Sequence, residues 1–109
     1  MSSKNHTMLA VGDVYLYGAA PAEPLFAKTA PDLRSADITL GYGKCMFTSR
    51  GYNTFADMRL AQVGERFEIP GADPHNIAAL DYAGFDIITL ANCHCWDAGD
   101  PGIEDTVAG

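Results

Sequence analysis

Residues 73–97 read DPHNIAALDYAGFDIITLANCHCWD, and this stretch decides the fold. Asp73 is a good N-cap, and Pro74 suits the first helical position, where its missing N–H would have no partner anyway. Ile77, Leu80 and Ala83 then recur on one side of a helix. Gly84 is placed to end that helix in the left-handed conformation. Residues 85–91 follow as an apolar, β-rich strand. The strand runs straight into a polar loop at 92–97.

Working towards the amino terminus, residues 7–11 form a short apolar run closed by Gly12 and Asp13, which predicts a buried strand followed by a turn. Residues 1–6 read as a polar tail, and 18–24, rich in Gly, Ala and Pro, as a loop. Residues 25–36 read as helical, with Leu25, Phe26, Ala30 and Leu33 on one side. Pro31 interrupts this helix, so two short pieces are an alternative. Residues 37–40 predict a second strand, stopped by Gly41-Tyr42-Gly43. From 44 to 66 no clean period emerges, and a short helix is expected around 54–60 inside a long excursion. Towards the carboxyl terminus, a last helix is expected to begin near Gly102.

This alternation of strands and helices is the order of an α/β fold with a mostly parallel sheet. Ligands of such sheets gather at the carboxyl ends of the strands. Here those ends carry Gly12-Asp13, residues 41–45 and residues 92–97. With one short helix at its end, the chain reads as a single partial domain over 1–109. Its uncovered sheet edge is a site for self-association.

Composition narrows the function classes. Fourteen acidic residues stand against seven basic ones, for a formal net charge of −7, and the basic residues are scattered. Nucleic acid is therefore excluded as an expected partner. No stretch reaches the roughly 20 apolar residues of a membrane span, and the apolar run after the polar tail is too short for a signal peptide core. A cytoplasmic location is expected. The three cysteines, Cys45, Cys93 and Cys95, make an odd count that gives no disulfide framework.

Two places hold chemistry. Asp13 is a hard oxygen ligand at a strand end, with capping of its own turn as the structural alternative. The loop at 92–97 gathers Asn92, Cys93, His94, Cys95 and Asp97. His94 is a candidate general acid, since histidine is the side chain whose reference pKa lies near neutrality. Asp97 can orient it or bind a metal, or else cap the turn before Gly99. Cys93 and Cys95 invite a zinc reading together with Cys45, but Cys-x-Cys is not the usual spacing, and small apolar side chains are the expected role.

Val11-Gly12-Asp13-Val14, Leu33-Arg34-Ser35-Ala36-Asp37, the run from Ala83 to His94, Asp97, Gly99 and Gly102-Ile103-Glu104-Asp105-Thr106 occur in this order over residues 7–108. In this the sequence resembles the amino-terminal part of the bacterial capsule synthesis protein CapA (poly-γ-glutamate synthesis) family. That resemblance implies a calcineurin-like metallophosphatase fold, layered and here truncated. It implies a metal-dependent, phosphoesterase-type hydrolase of capsule or poly-γ-glutamate biosynthesis among intact relatives. Those relatives carry a divalent metal of the Mn, Fe, Mg or Zn type and act on a small-molecule or polyglutamate-type substrate, and membrane association is open to them.

Position by position, the resemblance implies Asp13, Asn92 and Asp97 as metal-site residues and His94 as the catalytic histidine. Two positions depart from the pattern. Tyr42-Gly43-Lys44 occupies the second motif, so that Lys44 stands where a carboxylate is expected. Cys93 stands where an Asn is expected before His94. Tyr42, Lys44 and Cys93 are thus further candidate site positions. The expectation is a CapA-like chain that is inactive by itself and holds the metal weakly or not at all. A non-catalytic binding module that keeps the fold, and a small thiol–metal protein, are the other two readings.

Overall fold

The computed structural model describes residues 4–16, 18, 24–50 and 71–109. The helix expected at 54–60 and most of the loop expected at 18–24 lie outside the described residues. Among those described, three strands form one parallel sheet in the order β1 (Met8–Val14), β2 (Ile38–Gly43), β3 (Ile87–Thr89). The helices are α1 (Ala30–Leu33), α2 (Ile77–Ala83) and α3 (Gly99–Ala108). The expected α/β class with a parallel sheet is therefore what forms.

The segment at 73–84 folds as its residues dictate. The Asp73 side chain accepts the His75 backbone N–H, a 3-10 turn spans Pro74–Asn76, and α2 continues from it. Gly84 closes α2 at φ 85°, a left-handed conformation that a Cβ would strain.

The strands depart from expectation at their glycines. β1 does not turn at Gly12-Asp13; it runs on to Val14, with an irregularity in its pairing with β2 between Ala10 and Asp13. β2 likewise does not stop at Gly41 but includes Gly41, Tyr42 and Gly43. In β2 the cause is packing. A Cβ at Gly41 would lie 2.8 Å from Ile88 Cδ1 and 2.9 Å from Phe85 Cε1, and one at Gly43 would lie 2.7 Å from Ile88 Cγ2. These glycines let side chains of the β3 segment lie flat across β2.

The helix expected over 25–36 is reduced to α1. Phe26 takes φ 66°, which breaks any helix there, and its carbonyl accepts the N–H groups of Thr29 and Ala30. Pro31 then sits in the first turn of α1, where it needs no N–H partner. At the carboxyl end of α1, Arg34 donates to the Tyr82 carbonyl and stacks on the Tyr82 ring at 4.6 Å, tying α1 to α2.

β3 is shorter than the expected 85–91, and α3 starts earlier than expected, at Gly99. Asp105 and Thr106 of α3 hold the segment after β2. The Asp105 carboxylate accepts from Thr48 Oγ1 at 2.6 Å and Arg50 Nε at 2.8 Å, and Thr106 Oγ1 accepts the Phe47 N–H at 2.9 Å. Those two partners hold the Asp105 carboxyl below its ordinary pKa, the Arg50 bond foremost. The core gathers Val14, Leu16, Cys45, Phe47, Ala72 and Leu80, with Phe85 and Ile88 packed against it.

Candidate functional site

β1 and β2 are parallel, so their carboxyl ends arrive side by side. Asp13 is registered opposite Tyr42, and the Lys44 N–H extends the ladder by donating to the Val14 carbonyl. Strand alternation puts Tyr42 and Lys44 on the same side, two residues apart. The outcome is an ion pair, with Lys44 Nζ 3.2 Å from Asp13 Oδ2. The Tyr42 ring centroid lies 5.6 Å from the same ammonium. The bond that Lys44 donates to Asp13 is the main reason its pKa is raised; burial opposes it, and Cys93 and Tyr42 add smaller support. Lys44 therefore carries its charge throughout the neutral range.

The loop after β3 is tied to the end of β2 by one amide. Asn92 Nδ2 donates to the Gly43 carbonyl at 2.6 Å, and its Oδ1 accepts the His94 N–H at 2.9 Å. Tyr42 Oη adds a long bond to the Ala91 carbonyl at 3.4 Å. In the turn so held, His94 Nδ1 and Asp97 Oδ2 are 2.6 Å apart, and both side chains are largely shielded from solvent. A carboxylate on Nδ1 orients the imidazole and leaves Nε2 as the nitrogen that Asp97 does not hold. Tyr15 meets the His94 ring edge-on, with centroids 6.5 Å apart.

The sequence-predicted positions thus form two groups at neighbouring strand ends: Asp13, Tyr42 and Lys44, and Asn92, His94 and Asp97, with Cys93 in the loop of the second group. Tyr15 and the Gly43 carbonyl were not singled out from sequence. Alternation carried past Gly12 would have flagged Tyr15, two residues beyond Asp13. The three cysteines are free and differ in exposure: Cys45 is buried, Cys93 exposed and Cys95 between the two. Cys45 has a packing role, since its sulfur accepts the Leu16 N–H at 3.4 Å, and burial pushes its thiol pKa up.

A divalent ion would draw on Asp13, Asn92 and Asp97. Each of these already has a partner, namely Lys44, the Gly43 carbonyl with the His94 N–H, and His94. Among the described residues no group of three or more His, Cys, Asp or Glu side chains is placed to hold an ion. Among the described residues these contacts leave no ready ligand set for a resident divalent metal. An open groove of roughly 800 Å³ lies elsewhere, beside Phe47, Arg50, Pro74, His75, Ile77 and Asp105, and contains none of these positions.

Among the described residues no helix is long and apolar enough to cross a membrane. No curated protein matches the chain. A family model described as "Bacterial capsule synthesis protein PGA_cap" matches residues 7–109. With nearly its whole length matched, and with Asp13 and the His94–Asp97 pair set at the strand ends, this chain belongs to the bacterial capsule synthesis protein family.

Proposed function

We propose that the chain is a CapA-like protein of capsule or poly-γ-glutamate biosynthesis whose strand-end loops form a binding site for a small-molecule or polyglutamate-type ligand. Its relatives resemble metal-dependent phosphoesterase-type hydrolases; this chain does not act as one. The observation that carries the reading is the 3.2 Å pair between Asp13 and Lys44, which spends the strand-end carboxylate on an ammonium. Two-metal hydrolysis needs ions about 3.5–4 Å apart, each with a full ligand set. A chain of net charge −7 repels long polyanions, so contact with a short γ-glutamyl segment is expected. Self-association through the edges of β1 or β3 belongs to the same reading.

The His94–Asp97 pair favours the catalytic alternative, in which His94 donates a proton. Turnover of an aryl phosphate with manganese separates the two. No turnover is expected. Hydrolysis that is lost in Asp13→Ala would establish the hydrolase and end the binding-module reading.

A further inference from the structure

Hard divalent cations take several oxygen ligands, usually with carboxylates among them. At the carboxyl ends of β1 and β2 the described residues supply one such carboxylate, Asp13, and set Lys44 Nζ against it at 3.2 Å. The contact is built into the fold. Asp13 and Tyr42 are paired in register, Lys44 is two residues beyond Tyr42, and its backbone N–H is fixed to Val14. The Tyr42 ring stands beside the ammonium, which favours the cation further. Lysine offers three donors and no lone pair while protonated, so it cannot join a coordination sphere. Its charge also repels any ion approaching Asp13.

We propose that Lys44 is a built-in cation that takes the place of a divalent metal at Asp13, so that one side chain keeps metal out of this site. The inference rests on reading the site as a binding site without two-metal catalysis, and it names the residue responsible. Substituting Lys44 by Glu removes the ammonium and sets a second carboxylate beside Asp13. Substituting it by Gln removes the charge and leaves one amide oxygen of modest affinity.

Manganese alone is the probe, followed by calorimetric titration and by the paramagnetic resonance signal of the free ion, with folding checked by circular dichroism. The wild-type chain is expected to leave millimolar manganese free. Lys44→Glu is expected to bind it at least about tenfold more tightly, from removed repulsion and added ligation, and Lys44→Gln by a smaller factor. Asp13→Asn introduced into Lys44→Glu should abolish the gain. Manganese binding by the wild type that disappears in Asp13→Asn would overturn the proposal, and this arm needs no change at Lys44. Lys44→Glu folded but silent would overturn it too, and if that variant does not fold, a silent Lys44→Gln decides the matter in the same direction. Such silence beside an inactive wild type sinks this inference alone, whereas phosphatase turnover by the wild type sinks the functional reading beneath it.

Discussion

On one face of β2, Thr39, Gly41 and Gly43 are buried; on the other, Ile38 is 39% exposed, with Leu40 and Tyr42 half-buried. The buried face is closely fitted. Thr39 Oγ1 donates to the Leu33 carbonyl at 2.6 Å, and Ile88 and Phe85 lie over Gly41. The open face carries apolar side chains in register across the sheet, Met8 opposite Ile38 and Leu40 opposite Ile87, with Met8 63% and Ile87 48% exposed. A central parallel strand is ordinarily covered on both faces. In β2 a steric requirement governs one face, while the other has apolar character without a fitted partner among the described residues.

Gly41 should show the larger response. Valine there would drive its Cβ into the space of Ile88 Cδ1 and Phe85 Cε1, and its branches further still. Overpacking of this kind costs about 1–3 kcal/mol. Urea unfolding of Gly41→Val should show a midpoint lowered to match. An unchanged midpoint would mean that the buried face is as loosely fitted as the open one.

The same contrast explains what could be read from sequence. α2 was legible because its signals are local: Asp73 caps, Pro74 starts and Gly84 stops. Gly12, Gly41 and Gly43 were read as stops because glycine more often ends a strand than continues one. The roles of Gly41 and Gly43 are set by side chains of the β3 segment, more than forty residues away, which no local pattern reports, whereas a Cβ at Gly12 would meet nothing within 4 Å. The early start of α3 escaped for a related reason, since Gly99 and Pro101 look like loop until Thr106 and Asp105 anchor the helix to the segment after β2. Of the site, the placement of Asp13, Lys44, His94 and Asp97 at strand ends followed from element order. The pairing of Asp13 with Lys44 depended on the strand register, which the sequence did not supply.

A smaller effect is expected at the amino end of β2. The Thr7 N–H donates to Asp37 Oδ2 at 2.7 Å and the Thr7 hydroxyl at 3.0 Å, fastening the start of β1 to the start of β2. These bonds, the backbone one first, hold the Asp37 carboxyl below its ordinary pKa. A carboxylate with a depressed folded pKa stabilises the fold above its unfolded value of about 3.9, and that contribution is lost as pH falls through the folded value. The Thr7 amide should therefore be protected from hydrogen exchange at neutral pH and lose protection in acid, after correction for the intrinsic rate. Asp37→Asn should show the acid behaviour at neutral pH. Protection that is equal in both variants and at both pH values would remove Asp37 from the account.

The smallest effect is expected at Ile38, and it tests the open face directly. Threonine keeps the β-branched shape that suits a strand. The Ile38 N–H, which donates to the Thr7 carbonyl, is untouched by the change. What is lost is part of an apolar side chain already 39% exposed, lying against a Met8 that is more exposed still. Surface substitutions of this sort stay within about ±0.5 kcal/mol. Ile38→Thr should therefore unfold close to the wild type, well above Gly41→Val. The comparison sharpens if the unfolding is repeated over a range of protein concentrations. If the open face stays in water, the difference between Ile38→Thr and wild type is small at every concentration. If a second copy covers it, the wild type gains stability as concentration rises, because association that favours the folded state shifts the equilibrium by mass action. Ile38→Thr, with a poorer surface to offer, would then fall progressively behind. A concentration-dependent gap would show that both faces of β2 are buried in the working protein, one by its own side chains and the other by its neighbour.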